Sequence, residues 1–168
     1  IRKMIGCNWD EFNASLSKSK AGNNGIIQLP FFATEINPYL PQGNSFSNIS
    51  SNLTPAESIR GILEAQAINF KIQSNALKSN FKKIIVTGGG SNCDGFCQII
   101  ANVFQCEVLR VNSANTAQLG GIARAISVLK NETVKAIDEV KITTKPNKET
   151  KETYHQLQRS FERLLQNM

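Results

Sequence analysis

Ile84-Ile85-Val86-Thr87-Gly88-Gly89-Gly90-Ser91-Asn92 carries four β-branched residues straight into three glycines and two small polar residues. β-branched side chains favour a pleated strand, so this stretch predicts a buried strand over Lys83 to Thr87. Phe96, Ile99, Ile100, Val103 and Phe104 then recur at i, i+3, i+4, i+7 and i+8, which predicts a helix at about 93–105. The succession is therefore strand, glycine turn, helix. Glycines adopt backbone angles that other residues avoid and let a ligand approach the main chain closely. The first amides of the following helix lack partners within it and point at the same place. Ser91 or Asn92 is expected to cap that helix. In an open α/β sheet, ligands bind at the carboxyl ends of strands, so a nucleotide or phosphate suits the turn. The competing reading is a tight turn with a purely structural role.

The motif excludes two common nucleotide loops. It lacks the Gly-Lys-Ser/Thr ending of a phosphate loop, and Gly88, Gly90 and Gly95 do not have dinucleotide-fold spacing. The next strand, Glu107 to Val111, is followed by Asn112 and not by the acidic residue that would hold a ribose.

Working outward, a helix at about 114–130 completes a β-α-β-α unit over 83–130, with its strands expected parallel. Gly120, Gly121, Ala123 and Ala125 in that helix would allow close packing against a neighbour. Upstream, Thr54-Pro55-Ala56-Glu57 is a capping box with proline at the first helical position. It opens a helix expected at 55–79, with Ile59, Leu63, Ala67, Phe70, Ser74 and Leu77 as its core stripe. Residues 8–19 predict a short helix with Trp9, Phe12 and Leu16 on one face. Ile26 to Phe32 is an apolar run expected as a strand, inside a loop-rich region marked by Asn37-Pro38, Leu40-Pro41 and Gln42-Gly43-Asn44. Residues 131–147 read as a charged connector, and about 148–167 as a final helix with Tyr154, Leu157, Phe161, Leu164 and Leu165 on its apolar face. Three strands are few for an α/β domain of this length, so the sheet is expected to draw strands from elsewhere.

Composition sets the class. With 168 residues, 40% hydrophobic and 19% charged, the chain can bury a core as one globular domain. Its apolar stretches are far short of the ~20 residues of a membrane span. Ile1-Arg2-Lys3-Met4 has neither an initiator methionine nor a signal-peptide core, which suggests an internal or processed start. The net charge of +6 comes from lysines near element ends and from Lys141, Lys145, Lys148 and Lys151. No arginine-rich tract interleaves with aromatics, so nucleic-acid binding is not expected. Cys7, Cys93, Cys97 and Cys106 form no Cys-x-x-Cys pair, and the one histidine, His155, lies far away. A zinc site is not expected, and reduced thiols in the cytosol are the default.

Single residues have plain readings too. Trp9 reads as a core anchor of the first helix. Glu64 and Gln66 read as solvated or packing residues, and Asp94 as a partner of the helix dipole. Cys93 and Cys97 read as small apolar packing groups, and His155 has no triad partner.

The order of these pieces resembles the C-terminal domain of the FGGY carbohydrate kinases, within the actin-like (ribonuclease-H-like) ATPase superfamily. Asn24-Gly25-Ile26-Ile27-Gln28-Leu29-Pro30-Phe31-Phe32 with Glu35-Ile36-Asn37-Pro38 is similar to the family's Gly-Leu-x-x-x-Pro-Tyr and Glu-x-x-Pro segments. Ser58 to Ala67 is similar to its Arg-Ala-x-x-Glu-Gly helix, Ile85 to Ser91 to its adenosine loop, and Ala114 to Ala125 to its Ala-Leu-Gly-Ala-Ala helix. Trp9-Asp10-Glu11-Phe12, Ser113 to Ala117 and the Tyr154-x-x-Leu157 helix look most like the eukaryotic xylulose kinases within that family.

That resemblance implies a partial actin-like α/β domain whose N-terminal strands are missing. It implies an incomplete nucleotide-binding domain over 1–147, with the terminal helix at 148–168 packed on it. The implied nucleotide-binding residues are Trp9, Gly88, Gly89, Gly90, Ser91, Asn92 and Cys93, with Gly89 and Gly90 on the adenosine and Trp9 beside the adenine, which reverses the core-anchor reading. The family places an asparagine where this chain has Cys93; here Asn92 stands one residue earlier. ATP is the implied co-substrate and Mg²⁺ a cofactor of the full-length enzyme, with no ligands in this chain. The catalytic carboxylate, the sugar site and a second phosphate turn belong to a missing N-terminal kinase domain, so the chain alone is expected to be inactive. The expected reaction of the full cytoplasmic protein is phosphoryl transfer from ATP to a sugar, D-xylulose in the first place. The exposed sheet edge is expected to allow self-association. The alternatives are a non-catalytic interaction module, or the same domain of a glycerol or gluconate kinase.

Overall fold

The computed structural model describes residues 2–41, 53–111, 116–134 and 139–167. Its elements are α1 (Arg2–Ile5), α2 (Trp9–Lys18), α3 (Pro55–Ser74), β1 (Lys83–Val86), α4 (Asp94–Phe104), β2 (Glu107–Val111), α5 (Thr116–Lys130), β3 (Val140–Thr144) and α6 (Lys151–Gln166). β1 and β2 pair in parallel, with Lys83 opposite Glu107 and Val86 opposite Arg110. A strand, a crossover helix and a parallel strand is the arrangement the sequence predicts.

Two strand assignments change. β3 lies within the expected connector and pairs antiparallel to β2, Leu109 facing Thr143 and Val108 facing Thr144. Val140, Ile142, Thr143 and Thr144 are all β-branched, and the lysines around them hide that preference in a composition count. Conversely, Ile26 to Phe32 is not one of the named strands, although Ile26, Ile27, Leu29 and Phe31 are buried. Pro30 has no amide proton to give a regular ladder there. The loop beyond it closes on itself, with the Glu35 and Leu40 amides and carbonyls exchanging bonds of 3.0 and 2.9 Å. Gln42-Gly43-Asn44 lies outside the described residues.

α3 is the hub. Its capping box forms as expected: the Thr54 hydroxyl accepts from the Glu57 amide, and the Glu57 carboxylate accepts from the Thr54 amide at 2.9 Å. The helix stops at Ser74, where Asn75–Leu77 tightens into a 3₁₀ turn ahead of Lys78 at φ 49°. Phe70, within α3, and Leu77, in the 3₁₀ turn, are exposed and leave the predicted stripe. Ile59 to Ala65, Ala67 and Ile68 are all buried, because α2, α4 and α6 pack around this one helix. At Gly61 a methyl group would stand 3.1 Å from the Asn23 side-chain amide, so the close approach of the preceding loop needs the glycine.

Glu64, read from the sequence as solvated or packing, is fully buried. Its Oε1 accepts from the Gly22 amide at 2.9 Å, from Arg60 Nη1 at 2.8 Å and from the Tyr154 hydroxyl at 2.9 Å. Arg60 also donates to the Ser19 hydroxyl and to the carbonyls of Leu16 and Ser19. One carboxylate thus joins α3, α6 and the turn after α2. Burial holds the Glu64 carboxyl above the usual carboxylate range despite Arg60, and burial with Glu64 alongside pushes the Tyr154 hydroxyl far up. α6 contributes Tyr154, Leu157 and Phe161 to the core, with the Phe161 ring 6.4 Å edge-on from Phe31.

α5 is different. Ala123 is its only buried residue among those described, while Leu119, Ile122, Val128 and Leu129 are exposed. Gly120 and Gly121, expected to admit a close neighbour, have nothing within 4 Å of a methyl placed on them. Ile85, on the outer strand β1, is also exposed. Among the described residues no helix is long and apolar enough to cross a membrane.

Candidate functional site

The glycine turn is built on β1 and braced from β2. Gly88 has φ 79°, ψ −174°, a conformation that a side chain would strain. Gly89–Asn92 then coil into a 3₁₀ turn, with the Ser91 amide and hydroxyl both donating to the Gly88 carbonyl, at 3.1 and 2.7 Å. Ser91 is spent on the turn and does not cap the helix. The N-cap position of α4 is Cys93, whose side chain makes no capping bond, so neither Ser91 nor Asn92 fills that role.

Arg110 is the brace that sequence reasoning missed. From buried β2 its Nη1 donates to the Ser91 carbonyl at 2.7 Å and its Nη2 to Asp94 Oδ1 at 2.7 Å. Asp94, expected to serve the helix dipole, therefore also anchors the start of α4 to the sheet. The Cys97 thiol donates to the same Ser91 carbonyl at 3.4 Å, and burial pushes that thiol's pKa up. The sequence held one signal for the brace: a lone arginine inside the apolar strand Val108-Leu109-Arg110-Val111.

Above the turn opens a cavity of about 770 Å³. Trp9, Phe12 and Asn13 line it from α2, Leu63 and Gln66 from α3, and Gly89, Gly90, Asn92, Cys93 and Phe96 from the turn and α4. Five of the seven sequence-predicted site residues meet there: Trp9, Gly89, Gly90, Asn92 and Cys93. Gly88 and Ser91 do not line it; they shape the turn underneath. Trp9 is 61% exposed, so it is no core anchor, and Phe12 and Leu16 alone bury the α2 face. The Trp9 ring stands edge-on to Phe12 at 5.6 Å, with the Arg2 guanidinium 5.0 Å from its centre. Methyl groups on Gly89 or Gly90 would meet nothing within 4 Å, so both face open space.

Three aromatic rings, three side-chain amides and bare glycine backbone make a wall set for a flat ligand with a polar edge. Among the described residues the polar side chains that line the cavity are amides and a thiol, groups suited to hydrogen bonding a ligand. A smaller cavity of about 450 Å³ adjoins it at Asn13 and Asn92, with Arg60, Asp94, Gln98 and Asn102 in its lining.

Residues 6–128 match the C-terminal domain of the FGGY family of carbohydrate kinases. The chain belongs to that family. The matched span runs from the residues before Trp9 into the last turn of α5 and includes all the described residues of the cavity lining. Among curated proteins, this FGGY domain is 26% identical over 165 residues to the xylulose kinase of Rattus norvegicus, covering 90% of this chain and 31% of that protein. It is 28% identical over 134 residues to xylulose kinase 2 of Arabidopsis thaliana, covering 70% of this chain and 24% of that protein. The domain therefore spans about a third or less of the length of these relatives. The ligand-bound xylulose kinase from Lactobacillus acidophilus superposes with a TM-score of 0.80 at 19% identity, covering 97% of this chain and 36% of that one. Glycerol kinase from Plasmodium falciparum with ADP gives 0.63 at 14% identity, covering 93% and 34%. The fold is that of the actin-like ATPases, of which these kinases are members.

Proposed function

We propose that the FGGY domain is the nucleotide-binding part of an ATP-dependent carbohydrate kinase, and that the cavity between Trp9 and the glycine turn takes the adenosine of ATP. The carrying observation is the convergence of Trp9, Phe12 and Phe96 with the exposed backbone of Gly89 and Gly90 around one cavity. A purine stacks on aromatic faces, and glycines let its sugar lie against the main chain. The whole protein transfers the γ-phosphoryl group of ATP to a sugar hydroxyl, and the names of the relatives favour D-xylulose, giving D-xylulose 5-phosphate. Glycerol and gluconate are the alternative substrates, because kinases named for them share the fold.

Residues 1–147 form the nucleotide-binding unit, with 148–168 as its terminal helix. The described lining of this cavity holds no carboxylate, so Mg²⁺ would be held chiefly through the phosphates of ATP and water. The sugar site, the proton-accepting carboxylate and the metal's ligands belong to the rest of the kinase, which packs against the open side formed by α5 and the edge of β1. The chain alone has no kinase activity, and the full enzyme works in the cytoplasm. In the chain alone the β1 edge favours self-association; strict monomers in light scattering would count against that.

Calorimetric titration with ATP tests the reading. A valine at Gly89 would project into the cavity without backbone strain. The unaltered chain should bind ATP with measurable heat, and Gly89→Val should not. Equal binding by both would place the nucleotide elsewhere.

A further inference from the structure

One half-buried side-chain amide of the cavity wall is left unused by the fold. Several side-chain amides elsewhere are used structurally. Asn8 caps α2 at 2.9 Å, Asn23 ties the loop to Glu57 and Ile26 carbonyls, and Asn102 joins Gln98 and the Asn147 amide. Gln66 does none of this. Its side chain has no hydrogen-bond partner among the described residues, yet it sits half-buried in the most enclosed stretch of α3, between buried Ala65 and Ala67. Its amide faces the cavity, where it can bond water or a ligand that displaces that water. Asn13 and Asn92, the other two amides of the cavity, are exposed and keep water as a partner.

A glutamine amide presents one acceptor and one NH₂ donor in a plane. Adenine offers the complement on one edge, an amino group beside a ring-nitrogen acceptor, and an amide can engage both at once. Neither the Cys93 thiol, a weak donor and weak acceptor, nor the rings of Trp9, Phe12 and Phe96 can read that edge. The rings hold any flat base; selecting one base needs the amide.

We infer that Gln66 is the specificity-determining residue of this cavity, pairing through its side-chain amide with the amino edge of adenine. The inference rests on the nucleotide reading above. It makes Gln66 a ligand-contacting residue, where the sequence alone suggested solvent or helix packing.

The test titrates the full chain and its Gln66→Met variant with three probes: ATP, purine riboside 5′-triphosphate (which lacks the amino group) and inorganic tripolyphosphate. The unaltered chain should prefer ATP over the amino-free analogue by about tenfold, the worth of one good hydrogen bond. Gln66→Met should lose about tenfold in affinity for ATP and bind the two nucleotides alike, with tripolyphosphate unchanged. Gln66→Glu, which keeps shape and acceptors but removes the donors, should lose ATP affinity as well. An unaltered chain that binds ATP without preferring the amino group overturns the assignment of Gln66 alone, as does a Met variant that retains the preference. An unaltered chain that binds none of the nucleotides overturns the nucleotide reading and this inference together. The preference of the unaltered chain is measured without any variant, so poor folding of a variant cannot shield the idea.

Discussion

Helices α3 and α5 both carry apolar and small residues, yet they are in opposite situations. α3 is surrounded by α2, α4 and α6, and even its charged residues Arg60 and Glu64 are buried with partners. α5 buries Ala123 and leaves four large apolar side chains in the open. The α3 side is a finished interior that can hold the cavity walls rigidly. The α5 side has the chemistry of an interior without the neighbours. One finished and one open side accord with the proposal that a further domain packs against α5, and each prediction below tries to break that contrast.

The largest effect should come from Glu64→Ala. It strands Arg60, the Gly22 amide and the Tyr154 hydroxyl inside the core, and should cost about 3–5 kcal/mol in urea unfolding, enough to unfold a marginal domain. A loss within 1 kcal/mol would mean that α3 is less enclosed than described.

A matched pair of glycine substitutions probes the two sides directly. At Gly95 a methyl group would stand 2.8 Å from Leu16 Cδ1 and 2.9 Å from its Cβ, so Gly95→Ala should destabilise by about 1–3 kcal/mol. At Gly120 nothing lies within reach, so Gly120→Ala should stabilise the isolated chain by about 0.5–1 kcal/mol through helix propensity. Thermal melts of the two variants should move in opposite directions; movement in the same direction would erase the distinction.

The smallest effect concerns pH. The Thr54 hydroxyl and amide hold the Glu57 carboxyl below its ordinary value of 4.5. A carboxylate favoured in the folded state adds stability above the unfolded pKa and loses it as pH falls through the lowered one. Stability should therefore decline below about pH 4.5 by a small component that Thr54→Ala removes, measured by unfolding across pH 3 to 6.

Local features were legible in the sequence, and long-range ones were not. The capping box at Thr54 and the strand–turn–helix at Gly88 depend on residues a few positions apart, so periodicity and turn chemistry expose them. The Glu64–Tyr154 bond joins residues 90 apart, and the Arg110–Ser91 bond joins residues 19 apart. No pattern along the chain announces such pairs, so Glu64 reads from the sequence only as solvated or helix-packing, and Arg110 carries no assigned role. β3 was hidden by its lysines. The Ile26 to Phe32 run misled in the other sense: its burial was legible, but it is not one of the named strands. Of the site, the glycine turn could be read directly and Trp9 through the family pattern. The α3 wall, Leu63 and Gln66, could not, because only the packing of α3 against α2 and α4 brings it to the turn.

Trp9 allows the central claim to be tested in one titration. It is the only tryptophan, and it stands exposed in the cavity wall. Its emission should change saturably as ATP is added, with a dissociation constant matching calorimetry, and the change should disappear in Gly89→Val. An emission that stays flat while ATP demonstrably binds would mean that the nucleotide does not lie between Trp9 and the glycine turn.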